Sequence, residues 1–437
     1  MFVNLTSLRS FVPVLVATSL VFSSFANADA KIFKIKSKPV DDVQVSEEVS
    51  VPEADNAAAP KKQATKSDFF KKVEKLKKES ASPKEPKKSA MVVESAKGAF
   101  DEYGISVEEK TFPKSSGDVP VHVLRVNLNA GKVVPKIVLA EGRLGSKATL
   151  TKICKNFGAV AAINGSFFDA KTYAAVGYLM IDGKPIQAPL IVKARTTFGI
   201  MSDGSVMVGK PKFRRRIRPE GEFFSMIDGI NRKCSGGEII IYTEEFGKSV
   251  TIPEGGLGFT FNGEGLVTGI VKGKANIPET GGLLLVTSNH VHRFKNTAEG
   301  TKIHFTQTLM SPWDKARDAF GSGMLLVSEG KVSFDQTREE VGKYLMGSAS
   351  RTAVGITADN HLVMVVADGR GGSYKGVDFD EIAQIMVDCG CTDAIALDGG
   401  GSSTMVYNGE VLNTPSDKGG ERKIANALVL IPAGAAK

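Results

Sequence analysis

The chain has 437 residues, 42% of them hydrophobic, with 46 glycines, 18 prolines, four cysteines and a formal net charge of +8. That length allows two or three ordinary domains, or one large domain with appendages. Residues 1–97 hold 17 Lys/Arg against 12 Asp/Glu, and the other 340 hold 39 against 36, so the bulk of the chain carries only +3. A polyanion-binding core concentrates its basic excess on the folded part, and nucleic acid is therefore not the expected partner.

At the N-terminus, Arg9 precedes an apolar run from Phe11 to Phe22, followed by Ala26-Asn27-Ala28. The pattern reads as a signal peptide over 1–28, with a core too short for a membrane span of about 20 residues. The expectation is an exported protein, periplasmic or extracellular, with no stable span in the mature chain. Residues 29–90 are rich in Lys, Glu, Ser, Ala and Pro and lack an apolar period, the composition of a disordered charged linker. Within it Phe69, Phe70, Val73 and Leu76 fall at helical spacing among lysines, suited to a weak contact with an anionic surface or to a solvated helix.

From residue 91 onward short β-rich runs alternate with Gly-containing turns. A strand is expected at 122–128, a short helix at 151–157 and a strand at 159–163. The stretch 236–310 reads as strand and turn throughout, with strands at 239–242, 258–261, 266–271 and 283–288, and suggests an all-β insertion over about 210–320. Arg195-Thr-Thr-Phe-Gly-Ile-Met-Ser-Asp echoes Arg351-Thr-Ala-Val-Gly-Ile-Thr-Ala-Asp, each preceded by a hairpin-like stretch, at 177–184 and 323–331. Two similar β units are expected, with the chemistry in the second, because the first has no acid after its strand pair.

That second unit is the informative one. An apolar strand, Leu362 to Ala367, ends at Asp368-Gly369. Asp378 and Glu381 have capping-box spacing ahead of a helix whose buried face holds Phe379, Ile382, Ala383 and Met386. A second apolar run, Ala394 to Leu397, ends at Asp398-Gly399-Gly400-Gly401-Ser402-Ser403. This is a β-α-β pattern, for which a right-handed parallel crossover is the default. The fold expected is mixed α/β: a β-rich domain over 91–437 with a β-α-β unit at its C-terminal end. Asp368 and Asp398 would then lie beyond the carboxyl ends of two strands, where open α/β sheets bind ligands, although an isolated Asp-Gly is commonly only a turn.

Paired carboxylates can divide acid, base and nucleophile roles. Gly399 and Gly400 allow close backbone approach to an anion, and Ser402 and Ser403 add hydroxyls. The loop is not a nucleotide-binding loop, since no lysine follows it. Arg351, at the start of a strand, is a candidate phosphate ligand or an ion-paired strand residue. Asn164 and Asn426 each suit a sugar hydroxyl or the pinning of a loop. The five histidines, His122, His290, His292, His304 and His361, form no metal-ligand spacing near these motifs, and Cys154, Cys234, Cys389 and Cys391 imply neither a metal site nor a disulfide framework. No cofactor is expected.

Five motifs in order, Ala161-Ala-Ile-Asn-Gly-Ser-Phe-Phe-Asp169, Ser350-Arg-Thr-Ala-Val-Gly355, Val366-Ala-Asp-Gly-Arg370, Ala396-Leu-Asp-Gly-Gly-Gly-Ser-Ser-Thr404 and Ala425-Asn-Ala-Leu428, resemble the phosphodiester glycosidase family. The resemblance covers roughly 120–432, with Gly321-Ser-Gly-Met324 and Ser166 as departures. It implies cleavage of a sugar C–O bond at the anomeric carbon, with a phosphate ester leaving, and a sugar-phosphate or phosphoglycan substrate in an envelope or extracellular polymer such as an exopolysaccharide. On this reading Asp368 and Asp398 face the sugar, Arg351 and the 399–403 loop hold phosphate, and Asn164 and Asn426 orient hydroxyls. The competing readings are a non-catalytic polysaccharide-binding or assembly protein, and a metal-dependent phosphodiesterase that cuts P–O.

Overall fold

The computed structural model describes residues 99–435 apart from 190–194, 338, 340–341, 343–344 and 370–374. The chain divides into two compact units, 1–83 and 84–437, and every described residue lies in the second. The expected signal peptide (1–28) and linker (29–90) fall outside the described residues, as does Arg370.

The described part is β-rich, with two α-helices. Three sheets build its frame. The largest has seven strands, in spatial order Ile105–Phe112, Val119–Asn127, His361–Ala367, Arg351–Thr357, Cys391–Ala396, Leu325–Ser328 and Lys331–Val332. The second runs Glu410–Val411, Met405–Tyr407, Ala161–Asn164, Asn426–Pro432 and Val133–Leu139. The third runs Lys184–Gln187, Leu179–Ile181, Ala316–Gly323, Thr196–Met201 and Val206–Gly209.

The expected strand, helix and strand are all present after residue 350, but the two strands are not neighbours. Arg351–Thr357 lies between His361–Ala367 and Cys391–Ala396 and is antiparallel to both. The turn at 358–360 closes Arg351–Thr357 onto His361–Ala367 first, which leaves only its far edge for the strand returning from the helix. The two outer strands therefore run in the same direction, two places apart.

The echo between the two arginine segments is structural. In each sheet a hairpin is followed by a strand and its antiparallel return, then by a crossover. A fifth strand then inserts between the hairpin and the first of that pair. In the seven-stranded sheet these parts are the hairpin 325–332, Arg351–Thr357, His361–Ala367, the helix Phe379–Asp388 and Cys391–Ala396. In the third sheet they are the hairpin 179–187, Thr196–Met201, Val206–Gly209, residues 210–315 and Ala316–Gly323. The second sheet repeats the same order with its parts divided along the chain. The hairpin 405–411 and Asn426–Pro432 come from the C-terminal side; Val133–Leu139, the helix Leu150–Phe157 and Ala161–Asn164 come from the N-terminal side. Three units of one topology result, with Ile105–Phe112 and Val119–Asn127 added to the edge of the largest.

Two units use a helix as the crossover. Phe379–Asp388 begins at Asp378, whose side chain accepts the Glu381 amide while the Glu381 carboxylate accepts the Asp378 amide, a complete capping box. It buries Phe379, Ile382, Ala383, Ile385 and Met386 against the outer face of the large sheet. Leu150–Phe157, capped by Thr149, buries Leu150, Ile153 and Cys154 on the second sheet. The His361–Ala367 strand is thus covered on both faces: Leu362, Met364 and Val366 enter the core shared by the three sheets, and Val363, Val365 and Ala367 enter the one under the helix. Burial on both faces is why its sequence reads as a continuous apolar run.

In the third unit the crossover is β structure. Residues 213–309 form a three-stranded sheet (Ser225–Met226, Phe213–Pro219, Ile303–Leu309), a five-stranded sheet ordered Gly229–Ile230, Ile239–Tyr242, Gly282–Val286, Leu257–Phe261, Val267–Val271, and a two-stranded ribbon. Ile217, Ile239, Phe259, Leu284, Val286 and Phe294 fill a core of their own. Among the described residues no helix is long and apolar enough to cross a membrane.

Candidate active site

Because His361–Ala367 and Cys391–Ala396 run the same way, Asp368 and Asp398 both emerge from one edge of the sheet, just past the strand ends. Arg351 begins the antiparallel strand between them, in register with Ala367. The edge opens on a cleft of about 590 Å³ lined by Ser350, Gly369, Lys375, Gly400, Gly401, Ser416, Asp417 and Arg422.

Asp368 is buried. Its amide donates to the Pro120 carbonyl, and its carboxylate accepts from the Thr414 amide at 3.2 and 3.3 Å. His122 Nε2 lies 3.5 Å from Asp368 Oδ2. Asp398 is half-buried, and its Oδ1 accepts the Gly399 amide at 3.0 Å. Burial pushes its carboxyl up to about 6, against the opposing pull of Ser402, the Gly399 amide and the Arg422 charge. The carboxyl thus titrates close to neutral pH, a property found preferentially at catalytic positions.

Asn164 is fully buried at the end of Ala161–Asn164. Its Nδ2 donates to the Asp398 carbonyl at 2.8 Å, and its Oδ1 accepts from Thr352 Oγ1 at 2.9 Å and the Thr404 amide at 3.1 Å. The amide thereby ties the second sheet to the aspartate loop. Asn426 does the same for the turn after Asn164: its Oδ1 accepts the Ser166 amide at 2.8 Å and its Nδ2 donates to Ser166 Oγ at 3.0 Å. Ser166 thus supplies an acceptor for Asn426.

Arg351 is likewise committed. Its Nε donates to the Val377 carbonyl at 3.2 Å, and its Nη2 donates to the carbonyls of Leu345 at 2.7 Å and Gly347 at 2.5 Å. The guanidinium lies 3.9 Å over the Phe379 ring, and burial lowers its pKa to about 10. The planar fork that would hold a phosphate is directed at the 345–347 and 377 backbone instead.

The glycine loop differs in a similar way from an anion-binding nest. The Gly399 amide is taken by Asp398 and the Gly400 amide by the Ser350 carbonyl at 2.8 Å. Ser402 and Ser403 are buried behind the glycines. The glycines serve shape: Gly400 sits at φ +61, and a Cβ on Gly401 would fall 2.1 Å from Arg422 Nη2 and 2.2 Å from Asp417 Oδ1. That space admits the bidentate Arg422–Asp417 pair, at 2.8 and 2.9 Å, to the cleft wall.

His122, Lys375, Ser416, Asp417 and Arg422 were not among the expected site residues. His122 is brought to Asp368 by strand pairing, in register with Val366, which no linear spacing encodes. The others lie in loops; the polar, Gly-containing run 415–423 ahead of Asn426 is a sequence signal for Ser416, Asp417 and Arg422, and none marks Lys375. Among the described residues no group of three or more His, Cys, Asp or Glu is placed to hold a metal ion.

Residues 254–431 match the family model described as phosphodiester glycosidase. Over that segment the chain is similar to the phosphodiester glycosidase family. Relatives include human N-acetylglucosamine-1-phosphodiester alpha-N-acetylglucosaminidase, 32% identical over 99 residues, which are 22% of this chain and 19% of the human protein. Another is the uncharacterized protein YomE of the SPbeta prophage of Bacillus subtilis (strain 168), 32% identical over 115 residues, 26% of this chain and 17% of that protein. The match thus spans less than a fifth of the length of these curated relatives. Among solved structures, a hypothetical protein from Synechocystis shares the fold, with a TM-score of 0.67 at 20% identity over 75% of this chain and 62% of that one. All five motifs contribute residues to the sheet edge described above or to the loops that hold it.

Proposed function

We propose that this protein is a hydrolase that cleaves the anomeric C–O bond of a sugar-1-phosphodiester. The observation that carries the reading is the pair Asp368 and Asp398 at one sheet edge, next to a cleft walled by Lys375 and Arg422. The family model that matches residues 254–431 is described as phosphodiester glycosidase, and a human relative is named for a glycosyl phosphodiester.

The chemistry suits the groups present. A phosphate ester leaving from the anomeric carbon carries away the bonding electron pair as a stable anion, so little general-acid assistance is needed. What remains is to activate water and to stabilise positive charge on the sugar. Asp398, with its carboxyl near 6, takes the proton from the attacking water. The Asp368 carboxylate stabilises the developing oxocarbenium charge, with His122 beside it. Lys375 and Arg422 receive the phosphate, whereas Arg351, Asn164 and Asn426 act on the backbone that positions the aspartates.

The finer reading is an exported enzyme acting on an envelope or extracellular glycopolymer, supported by the signal-peptide pattern of residues 1–28. Assay of Asp368→Asn and Asp398→Asn on a low-molecular-mass sugar-1-phosphodiester tests the assignment. A loss of turnover of about 10²-fold or more in each is expected; wild-type turnover by both would end it.

A further inference from the structure

The three-stranded sheet in the 213–309 region has one face that nothing among the described residues covers. Along Phe213–Pro219 the alternate residues Phe213, Arg215, Ile217 and Pro219 turn inward, which leaves Arg214, Arg216 and Arg218 on the other face. Their cross-strand partners are Thr308, Thr306 and His304, and Met226 stands opposite Arg216 on the other side. Phe224 belongs to the same face, with Arg216 and Arg218 lying 5.7 and 5.2 Å over its ring. Phe223, at the adjoining turn, is 91% exposed.

This face carries three guanidinium groups, an imidazole and two threonine hydroxyls, and no acid. None of the three arginines makes an ion pair among the described residues. The nearest acids in sequence, Glu220 and Glu222, belong to the turn, and Glu222 is occupied by the Asn296 amide. Successive arginines on one strand face stand about 6.7 Å apart, a step that one sugar–phosphate repeat can span. The faces of bases would need free aromatic rings, but the Phe224 ring already lies under two arginines.

We propose that this face is a secondary binding strip for a polymer linked by phosphodiesters, which holds a phosphoglycan outside the catalytic cleft. The proposal rests on the phosphodiester glycosidase reading for the identity of its ligand. Arg214, Arg216 and Arg218 contact successive phosphates, and Thr306, Thr308 and His304 meet sugar hydroxyls between them.

The test is binding of the full chain to a fluorescently labelled capsular polysaccharide joined by glycosyl-1-phosphodiesters, alongside dextran, single-stranded DNA and vesicles with anionic lipid. The triple variant Arg214→Gln/Arg216→Gln/Arg218→Gln is expected to bind the phosphoglycan at least tenfold more weakly. The slope of log K against log salt should fall by about 2, at about 0.7 per phosphate contact. The corresponding triple Arg→Lys variant should retain most of the binding and controls for folding. Hydrolysis of a low-molecular-mass sugar-1-phosphodiester should be unchanged in both variants. Equal binding by wild type and the Gln variant would overturn the strip, as would tighter binding of DNA or vesicles than of phosphoglycan, or equal binding of dextran. Arginine-dependent glycan binding without any hydrolysis by the wild type would sustain the strip and end the proposed function instead.

Discussion

His122 Nε2 lies 3.5 Å from Asp368 Oδ2, the two residues being brought together by antiparallel pairing of Val119–Asn127 with His361–Ala367. Asp368 is buried and accepts one further contact, from the Thr414 amide. On the proposed reading His122 would act through Asp368 rather than by touching the sugar. His122→Gln is expected to lower kcat about tenfold with little change in KM, a smaller loss than Asp368→Asn gives. Steady-state kinetics of both variants on one substrate checks the order; an effect of His122→Gln confined to KM would place the imidazole in substrate contact.

Asp398 links activity to pH. If it is the base, it must be ionised, so kcat/KM should rise with pH through about 6 and then level. In Asp398→Asn the residual activity should lack that limb. A wild-type profile flat from pH 5 to 8 would remove Asp398 from the proton-transfer step.

The same residue has a cost in stability. Its carboxyl sits at about 6 in the folded protein, above the ordinary aspartate value of 3.8. The folded state therefore binds more protons between those values, and stability falls as pH rises through that window. Above pH 6 the penalty reaches about 3 kcal/mol at most, since the group is only half-buried. Asp398→Asn should thus raise the Tm at pH 7.5 and leave it nearly unchanged at pH 4. Calorimetry at the two pH values reads the difference; equal shifts at both would mean that the carboxyl is not perturbed.

Arg351 and the cleft cations should separate cleanly. Arg351 holds the Leu345, Gly347 and Val377 carbonyls, and lysine cannot reproduce that fork. Arg351→Lys is expected to lose about 2 kcal/mol of stability with KM nearly unchanged for any substrate it still turns over. Lys375→Ala and Arg422→Ala should keep the wild-type Tm within about 2 °C, as exposed-residue changes do, and raise KM. The opposite division would return phosphate binding to Arg351.

Asn164 ties down the loop that carries Asp398 through its side-chain amide. Replacement by Ala leaves the Thr404 amide unpaired and frees the Asp398 carbonyl, and should cost about 2–3 kcal/mol. Thermal unfolding of Asn164→Ala measures this directly. A wild-type Tm would show that the loop holds without it.

Much of the site could be read from residue pattern because its carriers are local. Asp368 and Asp398 each follow an apolar run, and the capping box at Asp378 and Glu381 announces the helix between them. The pattern did not disclose that Arg351–Thr357 lies between the two strands, since strand order depends on which edge remains free after the tight turn at 358–360. The third β unit was also invisible: it joins Asn426–Pro432 to Val133–Leu139, far apart in the chain, and shares no residue string with the other two. Arg351 suits phosphate binding or a structural pairing equally in sequence, and the carbonyls around it, at Val377, Leu345 and Gly347, favour the second. His122 carries no local signal of its role, because its acid partner lies 246 positions away along the chain.

The central claim is the bond that breaks. Hydrolysis of a sugar-1-phosphodiester in water enriched in ¹⁸O, with the products separated and weighed by mass spectrometry, decides it. Attack at the anomeric carbon predicts the label in the sugar, unlabelled phosphate ester, and loss of both products in Asp398→Asn. Label in the phosphate product would mean P–O cleavage and would contradict the account.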